Sequence, residues 1–279
     1  MNCFMFPGQP LLRSELLPRD DDFDAIRELA GRRALFDLDG FSWLGEEGTE
    51  SVKLQIYGVA MSLYHARRLR RQGIKPGLMA EHSMGIYPAM AACGSLSEGE
   101  VLELTFRAGC CMAQMGKSRQ YALGCVIGLT LEPLLAIAEN NEVYLANHNT
   151  SRHFLLSGER KNMEEAEAEA FACGAFSVKI FPCDAPLHSP LMAEVEGEMR
   201  AIFAGYRYRE PAFPLMDHID QDYLTAADLQ DFMARELLLP VYWERTCHAL
   251  RAAGAGSFFE VGVGDSLKKY NRWIDNEAK

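Results

Sequence analysis

Six short segments between residues 117 and 182 alternate between the hydrophobic spacing of strands and that of helices. Strands are predicted near 122–128, 143–147, 153–157 and 175–180, and helices near 132–139 and 162–173. The order βαββαβ is typical of the split-βαβ, ferredoxin-like unit. Turn-rich segments bound this block on both sides, so we predict a small subdomain of that type at residues 117–182, inserted into a larger one.

The chain around the insertion has the pattern of a larger α/β unit. A buried strand "CFMF" opens it, a helical pattern spans 52–72, and the strand "LMAE" follows. After "LMAE" a serine lies at a sharp turn that leads into a helix, which is the layout of an α/β nucleophile elbow. A chain of 279 residues is long enough for one large domain with an insertion. We therefore predict a large catalytic subdomain from residues 1–116 and 183–279.

Composition excludes several classes of protein. Hydrophobic residues make up 48% of the chain and charged residues 24%, which is typical of a folded, soluble protein. No apolar run is long enough to cross a bilayer and the N-terminus lacks the features of a secretory signal, so we expect a cytoplasmic protein with no membrane partner. The net charge of −11 argues against a nucleic-acid partner. The eight cysteines form no C-x-x-C pair, so we expect no metal.

The sequence "EHSMG" places Ser83 at the turn between the strand and the helix. A serine hydroxyl attacks only when a base takes its proton and donors face the developing oxyanion. In such an elbow the backbone N–H after the nucleophile, here that of Met84, is one donor. Of the seven histidines, His188 in "DAPLHSPLM" is the best candidate for the base, because the flanking prolines fix an extended loop directly after the insertion. His82 is next to Ser83, and because adjacent residues of a strand point to opposite faces we expect it to pack rather than to act as the base. The other five histidines have no motif around them.

Six motifs occur in the order, and at about the spacing, of one enzyme family. They are "FPGQP" at 6–10, "EHSMGIYPAM" at 81–90, "ANHNTSRHFLLSG" at 146–158, "APLHSPLM" at 185–192, "PVYWERT" at 240–246 and "FFEVGVGDSL" at 258–267. Together they span essentially the whole chain, which resembles the malonyl-CoA:acyl-carrier-protein transacylase family. The resemblance implies an α/β-hydrolase-like large subdomain with an inserted ferredoxin-like small subdomain, in agreement with the pattern of the elements.

The resemblance also implies a reaction. In this family a serine takes an acyl group from coenzyme A as an ester and passes it to the phosphopantetheine thiol of an acyl carrier protein, in fatty acid or polyketide biosynthesis. The coenzyme A thioester is a substrate, and no bound cofactor is implied. By position, the roles implied are Ser83 as nucleophile, His188 as general base, the main-chain carbonyl near Glu236 as the group that orients His188, the backbone N–H groups of Gln9 and Met84 as the oxyanion hole, and Gln55 and Asn149 as residues that line the site.

Three positions near the nucleophile depart from the family pattern. Glu81 replaces a glycine two residues before Ser83, and we expect it to bring bulk and negative charge close to the reacting ester. Ile86 replaces a glutamate three residues after the serine. Pro10 replaces the second glycine of the first motif and removes a backbone donor beyond the oxyanion loop. None of the three removes the nucleophile or the base.

The arginine that holds the free carboxylate of malonate in malonyl-selective relatives is displaced here by one position. Arg107 lies one residue before the expected site, which Ala108 and Gly109 occupy. One residue is a rotation of about 100° on a helix, which turns Arg107 away from that face. Either a local bulge returns Arg107 to the malonyl carboxylate, or this clamp is absent and the acyl group is uncharged. Leu187, directly before His188, is expected to form an apolar wall of the acyl site.

The sequence leaves three functions open. The first is transfer of a malonyl or other short acyl group from coenzyme A to a carrier protein. The second is hydrolysis of acyl thioesters by the same two residues, which loss of the arginine clamp favours because water is then less well excluded. The third is a catalytically weak homologue that serves as a binding partner, but the presence of both Ser83 and His188 argues against it. We favour transfer.

Overall fold

A computed structural model describes residues 1–11, 13, 15–44 and 50–277. The larger part of the chain contains the strands β1 (Asn2–Phe6), β4 (Leu78–Glu81), β9 (Leu215–Met216) and β10 (Ser257–Glu260). They form a parallel sheet in the order β10-β1-β4-β9. In parallel strands the carboxyl ends meet at one edge of the sheet, and Phe6 of β1 pairs with Glu81 of β4. The loop after β1 therefore lies beside the turn that carries Ser83.

Helices pack on both faces of this sheet. They are α1 (Asp21–Arg33), α2 (Glu50–Arg71), α3 (Ile86–Ala92), α4 (Glu98–Met115), α7 (Glu196–Ala204), α8 (Leu229–Arg235), α9 (Trp243–Ala252) and α10 (Ser266–Glu277). Two further helices, α5 (Leu131–Asn140) and α6 (Arg160–Ala172), pack on a second sheet. Side chains alternate along β1, so Phe4 and Phe6 pack with α1 to α4, whereas Cys3 and Met5 pack with α9 and α10. A short antiparallel pair, β2 (Phe36–Asp37) and β3 (Ser42–Trp43), follows α1.

The second sheet is antiparallel and contains the strands β5 (Tyr121–Ile127), β6 (Tyr144–Thr150), β7 (His153–Glu159) and β8 (Ser177–Cys183). Their spatial order is β6-β7-β5-β8, and α5 and α6 follow β5 and β7 along the chain. Buried side chains of both helices form a separate core against this sheet. The βαββαβ unit and the α/β fold class are therefore confirmed. The subdomain boundaries at residues 117 and 182 stay a prediction.

The end of α3 and the start of α4 have well-defined local geometry. Ser97 begins α4 with a capping box, because its hydroxyl accepts from the Glu100 N–H while the Glu100 carboxylate accepts from the Ser97 N–H. Gly94 has a φ of +83° after the end of α3, a conformation that favours glycine. Local sequence thus determines where α3 ends and where α4 begins.

A pair of backbone hydrogen bonds joins the small sheet to the larger part of the chain. His148 N–H donates to Val241 O and Val241 N–H donates to Ala146 O, both at 2.8 Å. This contact holds β6 next to the segment between α8 and α9.

No helix among the described residues combines the length and apolar character needed to cross a membrane.

Candidate active site

Ser83 lies at the carboxyl end of β4, in a strained turn. Its φ is +56°, a left-handed conformation that is uncommon for a residue other than glycine, and a 3₁₀ turn over Ser83–Gly85 leads directly into α3. Gly85 makes this turn possible, because a methyl group at that position would overlap the carbonyl oxygen of Phe6. The elbow predicted from the sequence is present, and the close approach of Gly85 to β1 holds the serine above the sheet.

His188 contacts Ser83. The Ser83 hydroxyl donates to His188 Nε2 at 2.6 Å, although the two residues are 105 positions apart. On the other side of the ring, His188 Nδ1–H donates to the main-chain carbonyl of Glu236 at 2.7 Å and lies 3.2 Å from that of Leu239. Because these carbonyls can only accept, Nδ1 carries the proton and Nε2 is free to accept one.

The protonation state of His188 suits a base. The side chain is 4% exposed, and burial, followed by the neighbouring His218, lowers the pKa of His188 to about 3. The imidazole is therefore neutral at pH 7, and it accepts the serine proton without first losing one. The structure thus brings together Ser83, His188 and the Glu236 carbonyl as the sequence predicted; their catalytic roles are taken up below.

A cleft of about 380 Å³ opens in front of the two residues. One side is the loop after β1, which includes Gln9 and Pro10. The other walls are mainly apolar side chains: Leu123, Leu155, Phe181, Leu187, Val263 and Leu267. Leu187 therefore lies where the sequence predicted an apolar wall. Among the described residues that line the cleft there is no lysine or arginine.

Gln9 and Gln55 are joined at the side of the cleft. Gln55, on α2, is 6% exposed and its side-chain amide donates to Gln9 Oε1 at 3.0 Å. Gln9 lines the cleft itself, whereas Gln55 lines a small adjacent cavity of about 10 Å³ that it shares with Leu187 and Asp184. Met84 follows the nucleophile in the 3₁₀ turn. Among the other predicted site residues, Gln9, Asn149 and Leu187 line the cleft, and Met84 lies next to it.

Asn149 belongs to a hydrogen-bonded row that the sequence did not reveal. Its side chain lies 2.9 Å from His82 Nε2 and 3.1 Å from His153 Nδ1, and His153 Nε2 lies 3.4 Å from Cys125 Sγ. Burial lowers the pKa of both His82 and His153 to about 4, so both rings are neutral at pH 7. Periodicity could not find this row because its members come from β5, β6, β7 and the elbow.

Arg107 is outside the cleft. It is exposed, its Nη1 donates to the Tyr206 hydroxyl at 3.4 Å, and its guanidinium lies over the Tyr206 ring at 5.7 Å. Helix α4 is continuous from Glu98 to Met115, so no bulge returns the side chain to the substrate. As the one-residue displacement predicted, the Arg107 side chain is turned away from the substrate side of the helix. Arg107 is therefore not retained as a substrate-binding residue.

Glu81 also differs from its expectation. Its side chain is fully buried and accepts from His218 Nδ1–H, with 2.7 Å to Oε1 and 2.9 Å to Oε2, and from the His218 backbone N–H at 3.2 Å. The carboxyl group does not line the cleft. The expectation that Glu81 brings charge close to the reacting ester is wrong, because the side chain points into the protein behind His188.

Neither Pro10 nor Ile86 disturbs the elbow: Pro10 lines the cleft and Ile86 is buried.

Among the described residues, one group of buried side chains has the residue types and spacing that could hold a metal ion. One group of three, namely His188, His218 and Glu236, has potential ligand atoms within 4.8 Å of one another. Because His188 Nδ1 already donates to the Glu236 carbonyl, a metal at that nitrogen would displace the proton that sets the ring's tautomer. The hydrogen bonds of His188 therefore fit its contact with Ser83 better than they fit metal binding.

Comparisons with known proteins agree with this geometry. A family model described as "Acyl transferase domain" matches residues 45–265. The chain is 27% identical to malonyl CoA-acyl carrier protein transacylase of Bacillus subtilis (strain 168), over 99% of this chain and 92% of that protein. A solved structure of the malonyl CoA-acyl carrier protein transacylase from Coxiella burnetii matches with a TM-score of 0.89 at 24% identity, covering 99% of this chain and 91% of that one. A type II PKS acyl-carrier protein in complex with its malonyl-transacylase also matches, with a TM-score of 0.86 at 24% identity and coverages of 99% and 93%.

Proposed function

Because the chain belongs to the acyl transferase domain family, we propose that it transfers a malonyl or other short acyl group from coenzyme A to the phosphopantetheine thiol of an acyl carrier protein, through an ester on Ser83. The observation that carries this proposal is the 2.6 Å contact between Ser83 Oγ and His188 Nε2 at the wall of an open cleft. The similarity to a malonyl-transacylase solved with its carrier protein supports the choice of partner.

The first half of the reaction loads the enzyme. His188 Nε2 takes the proton of Ser83 while Oγ bonds to the thioester carbonyl carbon, and the carbonyl oxygen becomes an oxyanion. The backbone N–H groups of Gln9 and Met84 are the proposed donors to that oxyanion. The carbon–sulfur bond then breaks, and the departing thiolate of coenzyme A takes the proton from His188. The acyl group remains on Ser83, and the carrier-protein thiol removes it by the same steps in reverse.

The lining of the cleft bears on which acyl group is taken. A buried malonyl carboxylate without a cation is costly unless several donors satisfy it. The described lining offers neutral donors, among them the amides of Gln9 and Asn149, but no lysine or arginine. This observation favours uncharged short acyl groups as a second class of substrate for the same transfer reaction.

Hydrolysis is not favoured as the main reaction. The relatives that match nearly the whole chain are named transacylases, which pass the acyl group to a carrier protein. We place the reaction in the cytoplasm and without a bound cofactor. The eight cysteines are all free thiols, which supports a reducing compartment.

The test is a transfer assay with a panel of malonyl-, acetyl- and butyryl-CoA. The acyl acceptor is a carrier protein with its phosphopantetheine arm, and the same carrier without the arm is the blank. We expect arm-dependent loading by the wild type, none by Ser83→Ala, and unchanged loading by the control Ser257→Ala, which removes an exposed hydroxyl on β10. Release of free acid with no loaded carrier would instead show a hydrolase. No reaction with any donor would refute the proposal.

A further inference from the structure

Three ionisable side chains form a buried group behind His188, on the side opposite the cleft. The rear cluster consists of Glu81 at the end of β4, His218 after β9, and Glu236 after α8. Their exposed fractions are 0%, 0% and 2%. Substrate cannot reach groups buried to this extent, so any effect on catalysis passes through His188 or, for Glu81, through the backbone N–H of Ser83, which its carboxyl group also accepts.

The hydrogen bonds of the rear cluster leave two atoms without a partner. His218 Nδ1–H donates to the Glu81 carboxyl group, so its Nε2 is an acceptor. That Nε2 and Glu236 Oε2 are both buried with no hydrogen-bond partner among the described residues. One ligand atom of each of His188, His218 and Glu236 lies within 4.8 Å of the other two. The His218 ring also stands edge-on to the His188 ring, with 6.0 Å between centroids and 84° between planes.

Glu236 meets His188 in two ways. Its main-chain carbonyl accepts from His188 Nδ1–H at 2.7 Å, and its side-chain Oε2 lies 3.7 Å from the same nitrogen. A carbonyl is enough to orient a ring. A carboxylate at this distance additionally compensates the positive charge that the ring carries once it has taken the serine proton.

We propose that the Glu236 side chain, with His218 and Glu81 buried behind it, is a positioning residue that stabilises protonated His188, so that the chain works with a Ser83–His188–Glu236 triad. The inference rests on the proposed function, since it concerns the base of that same site. The bonds that form and break are those of the proposed function: the Oγ–H bond of Ser83 breaks and an Nε2–H bond forms on His188 as Oγ bonds to the thioester carbonyl carbon. Glu236 forms and breaks no bond, and its carboxylate offsets the charge on the protonated ring.

The groups around Glu236 and His188 determine how pH should act. Facing them are Tyr87 from α3, His82 from the elbow, Glu81 from β4, and Asp217 and His218 from the segment after β9. Burial keeps His82 and His218 neutral near pH 7 by lowering their pKa, and it keeps Tyr87 neutral by raising its pKa. Asp217 accepts three backbone N–H groups of its own loop.

Glu81 and Glu236 are then the groups of the rear cluster that ionise as pH rises, at a higher pH than ordinary carboxyl groups, because burial raises the pKa of both. Burial raises the pKa of Glu236 well above its usual range, and the nearby Glu81 raises it further. Acylation should therefore accelerate as Glu236 ionises beside His188.

The experiment compares Glu236→Gln with the wild type. Glutamine keeps the main-chain carbonyl and the shape of the side chain but cannot ionise. Acylation of Ser83 by acyl-CoA is followed in a quenched-flow mass assay from pH 5 to pH 9. We expect the wild-type rate to rise with pH, and the variant to be pH-independent over this range and slower by about tenfold at pH 8, the effect of about one pKa unit. KM should stay unchanged, because the rear cluster does not touch substrate.

Two further variants keep the test decisive. Glu244→Gln is the matched control, because Glu244 also lies beside a histidine, at 2.8 Å from His148, but is more exposed and lies outside the rear cluster; it should keep the wild-type rate. Glu81→Gln should slow acylation in the same direction but less, by about threefold. It replaces Glu236→Gln as the deciding variant if thermal unfolding shows that the latter is not folded.

The outcomes separate this inference from the proposed function. A folded Glu236→Gln with the wild-type rate and pH profile would overturn the triad while leaving acyl transfer intact. A wild type that forms no acyl-Ser83 with any donor would overturn the proposed function itself.

Discussion

The two sides of His188 differ in what they bury. In front, the cleft beside Ser83 is lined by amides and apolar side chains, and the histidines that face it are neutral at pH 7. Behind, the rear cluster packs two carboxyl groups and an imidazole where no substrate can reach them. The difference indicates a division of tasks: the front receives the acyl thioester, and charge compensation for the base comes from the rear. Four changes test this division, from the largest expected effect to the smallest.

Replacing His188, which lies between the cleft and the rear cluster, tests whether its imidazole is the base. His188 has a φ of +56°, and asparagine tolerates this conformation better than most residues, so His188→Asn should preserve the loop. Without the base, Ser83 acylation should fall by about 10²–10⁴-fold, measured by quenched flow with acyl-CoA. A fall of less than threefold, in a variant with unchanged thermal stability, would show that the imidazole is not the base.

Replacing Gly85 tests whether the elbow depends on its packing against β1. Gly85→Ala places a methyl group on the Phe6 carbonyl oxygen, and the free energy of unfolding should fall by about 2–4 kcal/mol in urea titrations. Gly197→Ala, in the first turn of α7 with no atom within 4 Å of the added methyl, is the control and should be neutral or slightly stabilising. Equal stabilities of the two variants would contradict the close approach at Gly85.

His153 tests the neutral state of the front. Burial lowers its pKa from 6.5 to about 4, so the folded protein binds this proton less readily than the unfolded chain does. The stabilising contribution is therefore complete above pH 6.5 and declines as pH falls towards 4. At pH 5 this effect lowers the wild-type free energy of unfolding by about 2 kcal/mol. Between pH 7.5 and pH 5, the free energy of unfolding of His153→Gln should therefore fall by about 2 kcal/mol less than that of the wild type. An identical pH dependence in both proteins would mean that His153 is not buried in its neutral form.

Arg107 tests whether any charge outside the cleft selects the acyl group. Because its guanidinium packs on Tyr206, Arg107→Ala should change malonyl loading of Ser83 by less than twofold relative to acetyl loading. The ratio of the two rates is measured by intact mass. A selective loss of malonyl loading would place the arginine at the substrate and return the front of His188 to a charged site.

Much of the fold could be predicted because its signals are local. The βαββαβ order came from hydrophobic spacing, and the elbow came from the order of strand, turn and helix around Ser83. Ser83 was identified by its place between a strand and a helix, and His188 by the prolines around it. The roles of Gln9, Gln55 and Asn149 came from a family resemblance, since nothing in their local sequence distinguishes them.

The rear cluster could not be predicted for a physical reason. Glu81 and His218 are 137 positions apart, and their pairing depends on β4 lying beside β9 in the sheet. The sequence showed a glutamate in the elbow motif, but it did not show in which direction the Glu81 side chain points. The row from His82 through Asn149 to His153 was hidden in the same way, because hydrogen bonds between side chains of different strands leave no periodic pattern.

The central claim is that Ser83 carries the acyl group, and peptide mapping tests it most directly. The wild-type protein is incubated with acyl-CoA, quenched in acid, digested and sequenced by tandem mass spectrometry, before and after addition of carrier protein with its phosphopantetheine arm. The account predicts one acylated peptide, modified at Ser83, that returns to its unmodified mass when the carrier is added. An acyl group found on another residue, or one on Ser83 that the carrier does not remove, would contradict it.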